Sequence, residues 1–142
     1  MRATPRLTRE AFDALVAAEL PIANQLGFRV ESLAPGHVVT RAVYQDGFLR
    51  PGGTIAGPVL MALSDYTMYA VTLSMIGPVA LAVTTNLNIN FLRKPAPRDL
   101  FAEGRILKLG KRLAVSEVTL RSEGEAEPVA HVTGTYSIPP RE

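Results

Sequence analysis

The sequence predicts an α+β domain in which an antiparallel sheet of about six strands wraps around one long central helix, with a further helix at the N-terminus. Three observations lead to this prediction. One apolar segment of helical length lies near the middle of the chain, strand-like segments flank it, and the strands are too closely spaced for the crossover helices of a parallel sheet. The 142 residues are the size of one domain, so we expect a single domain over 1–142.

The composition is that of an ordinary globular protein, with 47% hydrophobic and 20% charged residues. The absence of cysteine excludes disulfides, thiolate nucleophiles and thiolate metal sites, and it fits a reducing compartment. The N-terminus has no apolar stretch of signal-peptide type, and the apolar runs elsewhere are interrupted before membrane-spanning length. We therefore expect a soluble, cytoplasmic protein with no membrane partner.

The first predicted elements are a helix and a hairpin. Thr8 precedes a segment in which apolar residues recur at helical spacing, which indicates an amphipathic helix that is capped by Thr8 and continues up to Pro21. We interpret it as a lid or edge helix. Residues 26–34 and 37–44 alternate loosely around a Pro-Gly pair, which predicts two strands joined by a turn.

The longest predicted helix follows a loop. Residues 45–57 are rich in glycine and contain a proline, which favours a loop. From Pro58 to Met75 the chain is apolar almost all round. Proline is suited to the first position of a helix, and the Gly-Pro pair that follows this segment is suited to its end. At 1.5 Å per residue this helix reaches roughly 27 Å, which suits the buried central helix of a domain wrapped by a sheet.

Four strand-like segments complete the chain, at residues 79–92, 99–109, 113–122 and 128–138. In the first, alternation predicts an apolar face (Thr85, Leu87, Ile89, Phe91) and a polar face (Thr84, Asn86, Asn88, Asn90). The asparagine-rich face needs hydrogen-bond partners, and a single curved sheet leaves an open strand edge. A second subunit would close both, so we expect a homo-oligomer, either a dimer or a dimer of dimers.

Familiar catalytic motifs are missing from the sequence. It contains no GxSxG elbow, P-loop, GxGxxG or HExxH pattern, and it has only two histidines. We interpret His37 and His131 as ordinary exposed or edge residues. The sequence therefore favours neither Ser-His-Asp catalysis nor a metal site.

Asp65 is the only charged residue between positions 51 and 92, and it lies two turns inside the apolar helix. Burying a carboxylate is costly unless something compensates, and its neighbours three and four positions away on the helix carry no positive charge. Two interpretations remain open. Asp65 is either a structural residue satisfied by the backbone or by Tyr69, or a general base or nucleophile in an apolar cleft.

Gly57 stands just before this helix, where the first N–H groups have no internal acceptor and carry the positive end of the helix dipole. A free amide there can stabilise an oxyanion. The alternative interpretation is that the glycines of this loop only make its turn.

Basic residues are concentrated in one half of a chain whose net charge is only +2. Residues 93–121 hold eight Lys or Arg against three acidic residues, so this region is expected to attract an anion. Nucleic acid is disfavoured because aromatic residues make up only 6% of the chain and do not interleave with the basic positions. Two interpretations of this basic region remain: it binds a small phosphorylated ligand, or it is a basic surface that contacts only solvent.

The stretch RPGGTIAGPVLMALSD, from Arg50 to Asp65, is followed by VTTNLNINFLRKPAP and LKLGKR. Together these resemble the hotdog-fold acyl-CoA thioesterases of the phenylacetate-pathway type, over roughly residues 26–138. In that family the helix start reads N-x-x-G-T-L-H-G-G, with a catalytic Asp or Glu nine residues after the His. Asp65 likewise stands nine residues after Ala56.

The resemblance implies a hotdog fold that hydrolyses an acyl-CoA or aryl-CoA to free acid and CoA, with no cofactor beyond the CoA of the substrate. It implies Asp65 as base or nucleophile, the Gly57 amide as oxyanion donor, and Thr84 from the neighbouring subunit as a residue that orients water. An apolar acyl lining is expected from Phe48, Met61, Leu63 and Met68. Further substrate-binding candidates are Arg50, Ala56, Pro58 and Asn86, and, for the CoA phosphates, Arg93, Lys94, Lys111 and Arg112.

Three residues depart from the family pattern: Arg50 stands where the family has Asn or Gln, Ala56 replaces the His, and Pro58 replaces the second Gly. These changes remove groups that help place the thioester or the water. They leave open a non-catalytic acyl-CoA binding module. A hotdog hydratase or dehydratase is less favoured, because such enzymes use an Asp and His pair and no His lies near Asp65 in the chain.

Overall fold

The computed structural model describes residues 7–140, which begin with two consecutive helices. Helix α1 (Arg9–Glu19) starts as predicted, with Oγ1 of Thr8 accepting a hydrogen bond from the Ala11 amide at 3.0 Å. A short helix, α2 (Pro21–Gln25), follows directly and was not predicted. Its first residue is the proline that ends the preceding helix.

Eight strands are present in the described residues: β1 (Phe28–Ala34), β2 (His37–Ala42), β3 (Leu49–Arg50), β4 (Thr54–Ile55), β5 (Val83–Phe91), β6 (Leu100–Leu109), β7 (Leu113–Ser122) and β8 (Pro128–Ser137). β3 and β4 form a small separate ribbon within the predicted loop. The other six form one antiparallel sheet in the spatial order β1-β2-β6-β7-β8-β5. The predicted six-stranded antiparallel sheet is therefore confirmed.

The central helix, α3 (Gly57–Ile76), is two residues longer than predicted and ends at Gly77, whose φ of 92° few other residues tolerate. It packs against the sheet, mainly on β2, β6 and β7. Gly104 permits this close approach, since a Cβ there would lie 2.8 Å from Cγ2 of Thr67. By length and composition α3 could cross a membrane, but 72% of its most apolar stretch is buried within the fold, which is typical of a core helix.

Asp99 ties the loop before β6 to the end of β2. Its Oδ1 accepts from the Tyr44 amide at 2.8 Å, and its Oδ2 accepts from Nη1 of Arg41 at 2.6 Å. Burial acts to raise the pKa of Asp99, but these two hydrogen bonds outweigh it and leave the pKa below its usual value. The carboxylate form is therefore favoured by the folded state.

The start of β5 departs from the predicted alternation. Residues 79–82 form turns, and the register then shifts between Thr84, which pairs with Tyr136, and Asn86, which pairs with Thr135. This bulge leaves Thr85 as the extra residue. Beyond it, Leu87 pairs with Gly134, two residues from Tyr136 on the same face of β8.

Thr84 consequently faces α3 together with Leu87, and its predicted place on the asparagine face is wrong. Asn86, Asn88 and Asn90 lie on the opposite, outer face of the sheet and are exposed. In a single chain these amides are open to solvent or to a second subunit, so the expected homo-oligomer stays a prediction.

Candidate active site

The carboxylate of Asp65 is held at one oxygen by two hydroxyl groups. Oγ1 of Thr84 donates to Oδ1 of Asp65 at 2.5 Å, and the hydroxyl of Tyr136 donates to the same oxygen at 2.8 Å. The Tyr136 hydroxyl is also 3.1 Å from the Asp65 carbonyl oxygen. No side chain in residues 7–140 donates to Oδ2, so one carboxylate oxygen is fixed and the other is available for chemistry.

Both donors owe their positions to the sheet. Tyr136 lies on the helix-facing side of β8, and the bulge in β5 turns Thr84 to the same side. Burial, and then the negative charge of Asp65, raise the pKa of Tyr136, so its hydroxyl stays protonated and acts as a donor. Tyr136 was not among the predicted site residues, although a tyrosine on the buried face of a strand needs a partner for its hydroxyl.

Two predictions about Asp65 are corrected by these contacts. Tyr69 was offered as its structural partner, but the Tyr69 hydroxyl donates to the Ala80 carbonyl at 3.0 Å. Thr84 was expected to come from the neighbouring subunit, whereas it binds Asp65 of its own chain. The reason is the bulge, which brings β5 of the same chain against the middle of α3.

Asp65 lines a cavity of about 470 Å³ between α2, α3 and the turn before β5. Its walls are mostly apolar and aromatic, and include Ile22, Ala23, Phe28 and Tyr66. Helix α1 is fixed beside it because Phe12 packs against the rings of Tyr66 and Tyr69, with centroid distances of 5.7 and 6.0 Å. The N-terminal helices therefore form part of the cavity wall.

The predicted acyl lining is wrong for Phe48, Leu63 and Met68, which are core residues, whereas the place of Met61 in it stays a prediction. Leu63 and Met68 are fully buried in the core, Phe48 is 3% exposed, and Met61 is 42% exposed outside this cavity. Helix α3 is apolar all round, so its composition does not distinguish the side facing the sheet from the side facing the cavity.

The start of α3 presents one free amide. Ala56 is the N-cap residue, Pro58 has no N–H, and the Val59 amide donates to the Ala56 carbonyl at 3.0 Å. The Gly57 amide has no acceptor among residues 7–140. It therefore keeps the donor that an oxyanion site requires.

Gly57 opens onto a second cleft of about 320 Å³, which is also lined by Arg50, Phe91, Arg93 and Lys94. Arg50 donates only to a neighbouring backbone carbonyl, at 3.3 Å. No acidic residue lines this cleft among the described residues. The structure thus brings four of the predicted residues, Arg50, Gly57, Arg93 and Lys94, to one site that favours an anion.

The predicted catalytic pair does not meet within one chain. Gly57 and Asp65 are eight residues apart on α3, a separation of about 12 Å along the helix axis. One thioester carbonyl is too small to contact both groups. Either they act in different sites, or two subunits contribute one group each.

The remaining predicted residues lie elsewhere. Lys111 and Arg112 form the β6–β7 turn, where Nε of Arg112 donates to the Ile138 carbonyl at 3.2 Å. This turn is at the same end of the sheet as the start of β5, across β8, whereas Arg93 follows the end of β5. A strand of nine residues spans roughly 30 Å. Pro58 is exposed at the second position of α3, and Asn86 is on the outer face of the sheet.

Comparison with known proteins places these features in context. A family model described as the thioesterase superfamily matches residues 52–129. A structure described as a "putative thioesterase" from Silicibacter sp. is 43% identical with a TM-score of 0.87, and the match covers 96% of this chain and 95% of that one. The hotdog-type fold implied by the sequence is confirmed by these matches.

Two further structures are informative about the type of thioesterase and about ligands. A mutant of the phenylacetic acid degradation protein PaaI from Thermus thermophilus is 29% identical, with a TM-score of 0.74, and 84% of this chain and 99% of that chain are covered. A Streptococcus mutans protein bound to acetyl CoA is 25% identical, with a TM-score of 0.70, and 81% of this chain and 90% of that chain are covered. The predicted resemblance to thioesterases of the phenylacetate-pathway type is confirmed.

Proposed function

Because the chain belongs to the thioesterase superfamily, we propose that it hydrolyses an acyl-CoA thioester to a free acid and CoA. The observation that best supports this proposal is the position of the Asp65 carboxylate. Thr84 and Tyr136 fix one of its oxygens, and the residue lines a largely apolar cavity. A positioned carboxylate of this kind suits a general base or a nucleophile.

The active site needs two copies of the chain. β5 pairs only with β8 among the described strands, so its other edge is free to pair with a second copy. In one chain Phe91 packs near Gly57 at one end of β5, and Thr84 contacts Asp65 at the other end. Antiparallel pairing of two β5 strands therefore sets the Gly57 end of one chain beside Asp65 of the next.

Hydrolysis then follows from these groups. The thioester carbonyl accepts a hydrogen bond from the Gly57 amide of one subunit, while Oδ2 of Asp65 in the other subunit removes a proton from water. The water oxygen attacks the carbonyl carbon, and the displaced electron pair forms an oxyanion at the Gly57 amide. When the carbonyl re-forms, the C–S bond breaks and the CoA sulfur leaves as a thiolate, which takes the proton from Asp65.

Direct attack by Asp65 is the other route, because a thioester is electrophilic and a thiolate leaves readily. It forms a mixed anhydride that water then hydrolyses. A single turnover in H₂¹⁸O separates the two routes. Label in the Asp65 carboxylate requires attack of water on the Asp65 carbon of an anhydride and so establishes the covalent route, whereas label in the acid product alone is what a general base gives.

The same subunit pairing brings the basic residues together. The turn holding Lys111 and Arg112 lies at the same end of the sheet as the start of β5, with β8 between them, and Arg93 and Lys94 follow the end of β5. Antiparallel strands place the start of one beside the end of the other, so cations from both chains border one composite site. We infer that they bind the phosphates of CoA.

Release of CoA thiol from a panel of acyl-CoA and aryl-CoA thioesters tests this proposal. Steady-state release above the uncatalysed rate supports a thioesterase. Saturable binding of CoA without release from any member of the panel contradicts it and supports a binding module of the same fold.

A further inference from the structure

We propose that Glu19 is a specificity-determining residue, which makes the cavity beside Asp65 select against acyl groups that end in a carboxylate. The inference deepens the proposed function and rests on it. It states that the cavity binds the acyl part of the substrate and that the preferred acyl groups are uncharged.

The position of the cavity assigns it to the acyl group. Asp65 and Thr84 both line it, so a thioester carbon placed for attack by Asp65 has this cavity on one side. The cations that suit CoA lie at the other cleft and at the β6–β7 turn. The acyl group is left with the apolar space.

The size of the cavity allows the tail of the acyl group to reach Glu19. A cavity of about 150 Å³ holds benzene, and this one is about 470 Å³. Glu19 is part of its wall, on the α1–α2 segment, as Asp65 is on α3. An acyl group of ring size or of several carbons therefore extends from one carboxylate towards the other.

The charge of the cavity is negative. Glu19 and Asp65 are the only acidic residues of its wall in the described chain, and no Lys, Arg or His lines it. A terminal carboxylate on the acyl group would lose water in the apolar space and would gain no cation in return. Both effects disfavour a dicarboxylic acyl group relative to its neutral analogue.

Glu19 is an exposed residue, so solvent reaches its carboxylate, and no side chain of the described residues holds it. Glu19 ends α1, where the helix dipole disfavours a negative side chain, and no basic residue is present in the last turn. Among residues 7–140, none forms a hydrogen bond or ion pair with its side chain. Burial, followed by the Glu19 charge, raises the pKa of Tyr69, another residue of the cavity wall, so the charge acts on the cavity.

Hexanoyl-CoA and adipoyl-CoA provide the test, because their acyl groups have equal carbon counts and differ in the terminal carboxylate. The ratio of kcat/KM for the two is measured with the wild type, Glu19→Gln and Glu19→Lys. We expect hexanoyl-CoA to be preferred by the wild type. Each unit of negative charge removed should lower the ratio of kcat/KM for hexanoyl-CoA over adipoyl-CoA about fivefold, as expected for screened like charges near a surface. Glu19→Lys changes the charge by two units and should therefore lower this ratio about 25-fold.

Glu10→Lys is the matched control, since Glu10 is an exposed residue of the same helix that does not line the cavity. It makes the same change in net charge, and its ratio should stay within about twofold of the wild type. An equal shift in both Lys variants would show a general charge effect and overturn the proposal.

The role of Glu19 and the thioesterase function can be refuted separately. If the wild type hydrolyses hexanoyl-CoA but Glu19→Lys leaves the ratio unchanged, the role of Glu19 is refuted and the thioesterase function stands. If the wild type hydrolyses no thioester, the proposed function fails. Calorimetric Kd values for the same two thioesters then test Glu19 alone, and an unchanged Kd ratio overturns its role.

Discussion

Because Gly57 and Asp65 are too far apart on one helix to act on the same carbonyl, we predict that a variant lacking one group can restore the activity of a variant lacking the other. Two inactive variants are needed. Gly57→Pro removes the free amide while placing proline at the first helical residue, where it is accepted. Asp65→Asn removes the reactive carboxylate and keeps its shape. We expect each variant alone to lose about 10²-fold or more of the wild-type kcat.

Mixtures of the two variants should recover activity. In a mixed dimer with composite sites, one site carries both substitutions and the other carries neither. Random assembly of equal amounts makes half of the dimers mixed, and half of their sites are intact. An unselected mixture should therefore show about a quarter of the wild-type activity, whether dimers remain separate or pair into tetramers, and mixed dimers isolated by themselves should show about half.

Gly57→Ala is the steric control for this experiment. A Cβ at Gly57 would lie 3.2 Å from Cζ of Phe91, so any substitution crowds that ring. The alanine variant keeps the amide, and we expect it to retain most of the activity that the proline variant loses. Equal losses in both would assign the effect to crowding and not to the oxyanion donor.

The assay is thiol release from one good acyl-CoA substrate after the two chains are co-expressed with different affinity tags and purified through both. Mixed oligomers that contain both tags but show no activity above the parent variants would refute the composite site. The Gly57 amide and the Asp65 carboxylate would then not act on the same thioester.

Three further predictions concern single contacts. Tyr136→Phe removes one of two donors to Asp65, so kcat should fall about tenfold while KM is nearly unchanged, which steady-state kinetics will show. Asp99→Asn should lower the melting temperature at pH 7. Because the folded state lowers the pKa of Asp99 below 3.8, this deficit should be full above that pH and disappear as the pH falls through the lowered pKa. Changing Lys111 and Arg112 to Ala should raise the Kd for CoA and flatten its dependence on salt, as titration calorimetry can measure.

The fold was predictable because its main signals are local. The apolar run with Pro58 near its start and Gly77 at its end gave the position of α3 to within one residue at each end. The side of β5 on which Thr84 lies was not predictable. A one-residue bulge leaves no trace in an alternating pattern, yet it reverses every side chain before it.

The candidate site was only partly predictable for a similar reason. Asp65 could be singled out because a lone charge in an apolar helix is visible in the sequence. Its partner Tyr136 is 71 residues away, and the contact depends on how β8 pairs with β5. The cavity wall formed by Glu19 and Ile22 depends on α2, which has only five residues and no distinct apolar period.

The most direct test of the central claim is thiol release by Asp65→Asn compared with the wild type. The account predicts a loss of at least about 10²-fold in kcat, with an unchanged Kd for CoA and an unchanged or higher melting temperature, since the substitution removes a partly buried charge. Retention of more than about a tenth of the wild-type kcat, well above that expected for loss of an acid-base group, would contradict the assignment of Asp65 as the catalytic carboxylate.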